Sequence, residues 1–456
     1  MSYTHFQSLM DPHTWLEALP QWYSSHLSWI AVAIFAGAYA LIISEKIHRT
    51  IVALFGAMLM IMCGILNQEE ALAAIDFNTI GLLVGMMIIV FVLSQTGLFN
   101  YLAIIAARLV RGHPLWLLVM LAALTAVCSA FLDNVTTVLL TVPVMFKMTS
   151  QLRVNPRPYI ISQIIASNIG GAATLIGDPP NIMIGSKAII DGKTGIDFMS
   201  FLTNLGLLCL FVLVVTMALI VLIYRKDLRT TTVLRARIMR MDPKKAITRR
   251  TLLFRCLLVL GMTIILFICH GFLNLESGAV AMWGAACIML VTLARKPRIL
   301  NQAFSRLEWT SIFFFVGLFV LVGALEHSGV IEQLAGEAMA VTQGDPTFSA
   351  MMVLGLSSLL SAFVDNIPFV ATMIPMINDM GAMGISNLEP LWWALSLGAC
   401  FGGNGTIVGA SANVVALSLA SQRGYKITFM QYFKIAFPLM ALSIIISGVY
   451  LYLFYL

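Results

Sequence analysis

Apolar residues run along this chain at 29–44, 51–66, 78–96, 200–224, 251–271, 278–294, 310–326 and 432–455. Each run is close to the length a helix needs to cross about 30 Å of hydrocarbon. Two longer stretches, 115–148 and 347–378, carry an Asp-Asn pair in mid-run, which predicts re-entrant helical hairpins. Two more, 158–190 and 391–421, are interrupted by glycine-rich segments and predict discontinuous crossing helices. The pattern specifies an all-α polytopic membrane protein with ten full spans and two hairpins.

The interruptions repeat. Ser129-Ala-Phe-Leu-Asp-Asn matches Ser361-Ala-Phe-Val-Asp-Asn, and Gly170-Gly-Ala-Ala-Thr-Leu-Ile-Gly matches Gly402-Gly-Asn-Gly-Thr-Ile-Val-Gly, both at an offset of 232 residues. Gly85, Gly97 and Gly112 fall on Gly317, Gly329 and Gly344 at the same offset. Chance similarity between apolar segments does not hold one register over such a distance, so the chain is read as a duplication.

Charge then orients the spans. With 27 Lys and Arg against 21 Asp and Glu, the formal balance is +6, but it is unevenly spread. Ten basic residues fall between Arg225 and Arg250, and none lies between Arg306 and Arg423. This asymmetry is what the positive-inside rule produces, and it points to topology rather than to a nucleic-acid partner. The basic turn Lys46–Arg49 goes to the cytoplasm, and so do Arg295, Lys296 and Arg298. Corresponding elements then run in opposite directions, as in the inverted repeats of secondary transporters. The division follows: an extracytoplasmic segment 1–28, a first repeat 29–224 with an inward-opening hairpin 115–148, a basic cytoplasmic linker 225–250, and a second repeat 251–456 with an outward-opening hairpin 347–378. Both termini fall outside the inner (plasma) membrane. Met1 to Ser28 lacks the basic start of a cleaved signal peptide.

Composition agrees with this picture: 60% of residues are hydrophobic, 11% are charged and the mean hydropathy is +0.93. The seven cysteines stand singly, without metal-ligand spacing, and no P-loop or hydrolase motif is present. No cofactor or metal is expected.

Candidate chemistry sits at the four breaks. Unpaired backbone in lipid is tolerated only within protein or around a cavity. An aspartate at a helix centre costs about 2.5–3.5 kcal/mol on insertion scales, so Asp133 and Asp365 read as functional. Gly170, Gly171, Gly177, Pro179 and Pro180 break the first crossing helix; Gly402, Gly403, Gly405 and Gly409 break the second, and Pro368 follows the second Asp-Asn pair. Asn134, Thr136, Thr137, Thr174 and Asn181 supply hydrogen-bonding groups in the first repeat; Asn366, Asn404, Thr406 and Asn413 do so in the second. Asp178 has no symmetry mate, because Ala410 occupies its place. It is either a coupling carboxylate or the cap of the helix beginning at Pro179. Trp392 and Trp393 are expected in an interfacial aromatic belt, His270 as a packing residue, and Gly97 to Arg111 as an interfacial amphipathic helix.

The stretch Asn168-Ile-Gly-Gly-Ala-Ala-Thr-Leu-Ile-Gly-Asp-Pro-Pro-Asn-Ile-Met-Ile-Gly185, with the two Asp-Asn hairpins, resembles the ArsB/NhaD family of the ion transporter superfamily over most of the chain. The Gly-Asp-Pro-Pro-Asn form also occurs in related general permeases and in the P-protein branch. The resemblance implies a dimer-capable fold with paired hairpins and alternating access. It allows an accessory ATPase, and implies arsenite or antimonite efflux, sodium–proton antiport or transport of another small ion. The leading expectation is proton-coupled efflux of arsenite and antimonite, followed by sodium–proton antiport. A passive channel is the alternative from another class, and a membrane enzyme a distant one. Without a basic residue near the breaks, a multivalent anion is disfavoured.

Overall fold

The computed structural model describes residues 27–44, 46–190, 192–226, 228–294 and 297–456. The segment expected outside the membrane at 1–28 lies outside the described residues except for its last two, as do Arg295 and Lys296.

The first half comprises α1 (Leu27–Ser44), α2 (Arg49–Met62), α3 (Gln68–Ala74), α4 (Phe77–Ser94), α5 (Leu98–Leu109), α6 (Pro114–Phe131), α7 (Asn134–Leu152), α8 (Arg157–Ala172), α9 (Pro179–Lys187) and α10 (Phe198–Tyr224). A short helix, α11 (Thr232–Met239), follows in the basic linker. The second half repeats the series: α12 (Arg250–Leu273), α13 (Ser277–Leu293), α14 (Pro297–Ser305), α15 (Trp309–His327), α16 (Val330–Thr342), α17 (Pro346–Phe363), α18 (Asn366–Ala382), α19 (Glu389–Gly402), α20 (Ser411–Gln422) and α21 (Phe429–Phe454). Nine helices among the described residues are long and apolar enough to cross a bilayer. Three of these are hairpin arms, α6, α7 and α17. The other six, the shorter α2 and α13, and the broken pairs α8–α9 and α19–α20 make up the ten expected spans. Among the described residues, the one departure from all-α is a ribbon pairing Ile189–Ile190 with Lys193–Thr194.

The chain forms two compact units. One holds the described residues through Phe77, with Glu308–Gly344 and Ala371–Ser386; the other holds Asn78–Leu307, Asp345–Val370 and Asn387–Leu456. In the first unit α15 lies on α2, and a Cβ at Gly317 would stand 2.6 Å from the Ala53 carbonyl carbon. The Arg49 guanidinium lies 4.9 Å from the centre of the Phe314 ring, and Thr50 donates to the Thr310 carbonyl at 2.7 Å. In the second unit α4 meets α13 in the same way, since a Cβ at Gly85 would stand 2.6 Å from the Ala281 carbonyl carbon. Backbone-to-backbone approach through small residues is how helices gain packing energy where lipid offers no hydrophobic drive. Symmetry-related glycines serve it in both units.

The second unit has its core at α8 and α19. Every residue of α8 from Pro158 to Ala172 is buried, as is every residue of α19 from Pro390 to Gly402. A membrane helix covered on all sides by protein can hold polar residues, and α8 holds Gln163, Ser167 and Asn168. One expectation made from sequence changes here and one holds. Trp392 and Trp393 are fully buried rather than interfacial, with their indole N–H groups donating to the Ile189 carbonyl and to Glu389. Their position near the start of an apolar run resembled a belt, but α19 is enclosed along its whole length. His270 is the packing residue anticipated: its Nε2 accepts from the Phe198 N–H at 3.1 Å, and its Nδ1 lies 2.9 Å from the Leu275 carbonyl.

Candidate functional site

Each hairpin turns through a two-residue link whose first residue is extended, Leu132-Asp133 between α6 and α7 and Val364-Asp365 between α17 and α18. Each broken helix pauses for a short loop, 173–178 between α8 and α9 and 403–410 between α19 and α20. The glycines in and just before these loops are there because other backbone occupies the space. A Cβ at Gly170 would stand 2.6 Å from the Ala126 Cα, and one at Gly402 would stand 2.7 Å from the Ser358 Cα. Gly177 and Gly409 likewise face the Ser129 and Ser361 carbonyls at 2.6 and 2.7 Å. Thr174 donates to the Ala130 carbonyl and Thr406 to the Ala362 carbonyl, pinning each loop to the hairpin arm of its own repeat.

Asn181 and Asn413 organise the two loops. The Asn181 amide donates to the carbonyls of Gly171 (3.3 Å), Ala172 (3.3 Å) and Thr174 (2.9 Å). Asn413 donates to Gly403 (2.7 Å) and Thr406 (2.9 Å). Each amide oxygen is then claimed by the opposite repeat. Asn181 Oδ1 accepts from Ser396 Oγ at 2.7 Å and Cys400 Sγ at 3.6 Å. Asn413 Oδ1 accepts from Asn168 Nδ2 at 3.0 Å, and Asn168 also donates to Asn404 Oδ1 at 2.9 Å. Asn181 and Asn413 are therefore loop-builders whose side-chain capacity is spent inside the protein.

The three carboxylates differ in their surroundings. Asp133 caps α7, accepting from the Thr136 N–H (2.9 Å), the Thr136 hydroxyl (2.7 Å) and the Val135 N–H (3.3 Å). Asp365 accepts from the Ile367 N–H at 3.2 Å and from the Ser411 hydroxyl at 2.8 Å. Pro368 stands where the first repeat has Thr136, and Ser411 provides the hydroxyl in its place. Asp178 occupies the cap position of α9 but makes no capping hydrogen bond. It is 1% exposed, and neither carboxylate oxygen has an aligned donor. Cys400 and Asn366 are its neighbouring polar groups, and Asp133 and Asp365 are close enough to act on it electrostatically. Among the other residues predicted at the breaks, three buried atoms also lack a partner: Asn366 Nδ2, Asn404 Nδ2 and Thr137 Oγ1. Asn134 faces Asn168 at 3.5 Å. A narrow crevice, with room for little more than a water molecule, reaches Asp133 and Thr136 past Leu82, Met86 and Ile182.

The structure thus brings the predicted residues into one polar centre and sorts them. Thr174, Asn181, Thr406 and Asn413 hold the loops; Asp133 and Asp365 cap hairpin helices; Asp178, Asn366, Asn404 and Thr137 retain unused bonding capacity. The sequence did not mark Asn168, Ser396 or Ser411 as site residues, and Cys400, close to a break, reads from sequence as a packing residue. Asn168 and Cys400 stand at the same offset of 232 and play matching parts, each donating to the other repeat's asparagine. Their unlike side chains hid the match.

Comparison with known proteins accords with this architecture. The profile described as "Citrate transporter" (CitMHS) matches residues 39–398. A 46 kDa membrane protein of Mycobacterium leprae is 40% identical, over 94% of this chain and 99% of its own length. An uncharacterised transporter of Mycobacterium tuberculosis is 41% identical over the same shares. The P protein of Mus musculus is 36% identical over 92% of this chain, which spans 59% of that protein. The YdaH transporter of Alcanivorax borkumensis shares the fold, with a TM-score of 0.58 at 13% identity over 93% of this chain and 97% of that one. The similarity to P proteins expected from the Gly-Asp-Pro-Pro-Asn segment is present; none of these names carries arsenite or sodium. The chain is a multi-pass secondary transporter, not an enzyme, and it belongs to the citrate transporter family.

Proposed function

We propose that this chain is a proton-coupled cation exchanger of the plasma membrane, with Asp178 as the coupling carboxylate. The observation that carries this reading is the burial of Asp178, without an aligned hydrogen-bond donor, beside Asp133 and Asp365. An isolated buried carboxylate is expensive, so either a proton or a bound cation neutralises it. The two exclude each other, and that exclusion is antiport. No Lys or Arg lies within the four breaks, so a bare citrate trianion, the substrate in the family's name, would enter beside three carboxylates uncompensated.

A second reading, proton-coupled efflux of arsenite or antimonite, is favoured by the unused amide and hydroxyl groups of Asn366, Asn404 and Thr137. They offer donors and acceptors to an uncharged trihydroxide. One experiment separates the two: everted vesicles energised by a proton gradient. Dissipation of the gradient by Na⁺ without arsenite uptake is expected. Arsenite accumulation that collapses with a protonophore selects the second reading, and downhill flux unaffected by the gradient makes the protein a channel.

A further inference from the structure

The basic linker is a folded strap rather than a loop. Between Arg225 and Arg250 it carries ten basic residues against Asp227 and Asp242. It contains α11 and a tight turn at Pro243–Ala246, and it is anchored by buried Leu228 and Ile238. Three of its side chains grip backbone carbonyls at the ends of α7, α5 and α4. Thr230 donates to Leu152, the last residue of the Asp133 hairpin, at 2.8 Å. Arg235 donates to Arg111, just past α5, at 3.2 Å. Thr248 donates to Gln95, just past α4, at 2.9 Å, and its N–H donates to Thr96 at 3.0 Å. Gly97, at φ +81°, lies against the Ala246 carbonyl, whereas its repeat mate Gly329 meets nothing within 4 Å. The positive-inside rule accounts for the charge of this segment but not for its being tied down.

Its outer surface has a composition suited to lipid. Arg237, Arg240, Lys244 and Lys245 are exposed, and so are the apolar Val233 and Met239 of α11. The strap leaves α10 beside exposed Leu222 and Ile223 and enters α12 near exposed Phe254, so it sits where lipid-facing helices end. We propose that the strap is a docking surface for anionic phospholipid headgroups, and that their binding holds it against the hairpin end at Leu152. The proposal is independent of the transported solute. Phosphates offset the mutual repulsion of the basic side chains, and the apolar residues enter the acyl boundary.

The test uses the full chain in phosphatidylcholine vesicles with or without phosphatidylglycerol. The readouts are lipid retained on extraction, by native mass spectrometry, and hydrogen exchange at the Thr248 amide. Retention of phosphatidylglycerol over phosphatidylcholine is expected, falling with salt. The variant R237Q/R240Q/K244Q/K245Q should lose about fivefold in affinity per charge removed. The Thr248 amide should exchange more slowly with phosphatidylglycerol present. Equal retention of both lipids by the wild-type chain overturns the proposal, and so does retention unchanged in the variant. Displacement by soluble glycerol phosphate as readily as by lipid also overturns it, because the site would then be one for free phosphate. The wild-type salt titration decides the matter even if the variant fails to insert.

Discussion

Asp133, Asp178 and Asp365 are one residue type in three settings, and their variants should separate accordingly. Asp178→Asn removes the only one of the three without an aligned donor, so transport driven by a proton gradient should vanish while the protein still inserts and folds. Undiminished gradient-driven transport in that variant would remove Asp178 from the mechanism. Asp133→Asn and Asp365→Asn are each expected to abolish coupled transport as well, with membrane insertion intact; full activity in both would sink the site. Asn181→Ala acts differently. It deletes a buried amide with five hydrogen-bond partners, stranding three carbonyls and the Ser396 hydroxyl. Thermal unfolding in detergent should show a loss of about 2–4 kcal/mol, beyond any effect on transport.

At the scale of elements, symmetry makes a prediction that sequence similarity alone would not. Gly170 and Gly402 each press against another helix's backbone, on Ala126 and Ser358. Gly170→Ala and Gly402→Ala should therefore destabilise alike, by about 1–3 kcal/mol or more, since backbone cannot step aside as a side chain can. Gly355→Ala has open space around it and should be nearly neutral, or slightly stabilising within its helix. A melt that ranks these three otherwise contradicts the packing. The proline pair Pro143 in α7 and Pro375 in α18 falls at matching sequence positions in the second hairpin arms, so each arm loses a backbone hydrogen bond at the equivalent residue.

For the molecule as a whole, the duplication has a topological consequence. Asn155 and Asn387 occupy equivalent positions at the starts of α8 and α19, where each accepts from a backbone N–H two residues on at 3.1 Å. Both are exposed. If the repeats are inverted, Asn155→Cys and Asn387→Cys, in a background without the native cysteines, should react with an impermeant thiol reagent from opposite sides of the membrane. Labelling from one side would make the repeats parallel and withdraw the orientations drawn from charge. The assignments of both termini and of the two hairpin openings stand or fall with this measurement.

The sequence by itself determined the spans, the hairpins and the four breaks, because each is written in local chemistry: apolar length for a crossing, Gly, Pro and Asp-Asn for an interruption. The offset of 232 residues revealed the duplication from sequence alone. It could not tell a loop-building asparagine from a ligand, since Asn181 and Asn366 are the same residue type and only partners in space distinguish them. Nor could it find Asn168 and Cys400, whose equivalence lies in what each donates to rather than in what each is. Tertiary structure alone decided that Asp178 lacks a capping bond, that Trp392 and Trp393 are enclosed, and that the basic linker is a tied strap. Each of these depends on which distant backbone fills the neighbouring space, and no local pattern encodes that.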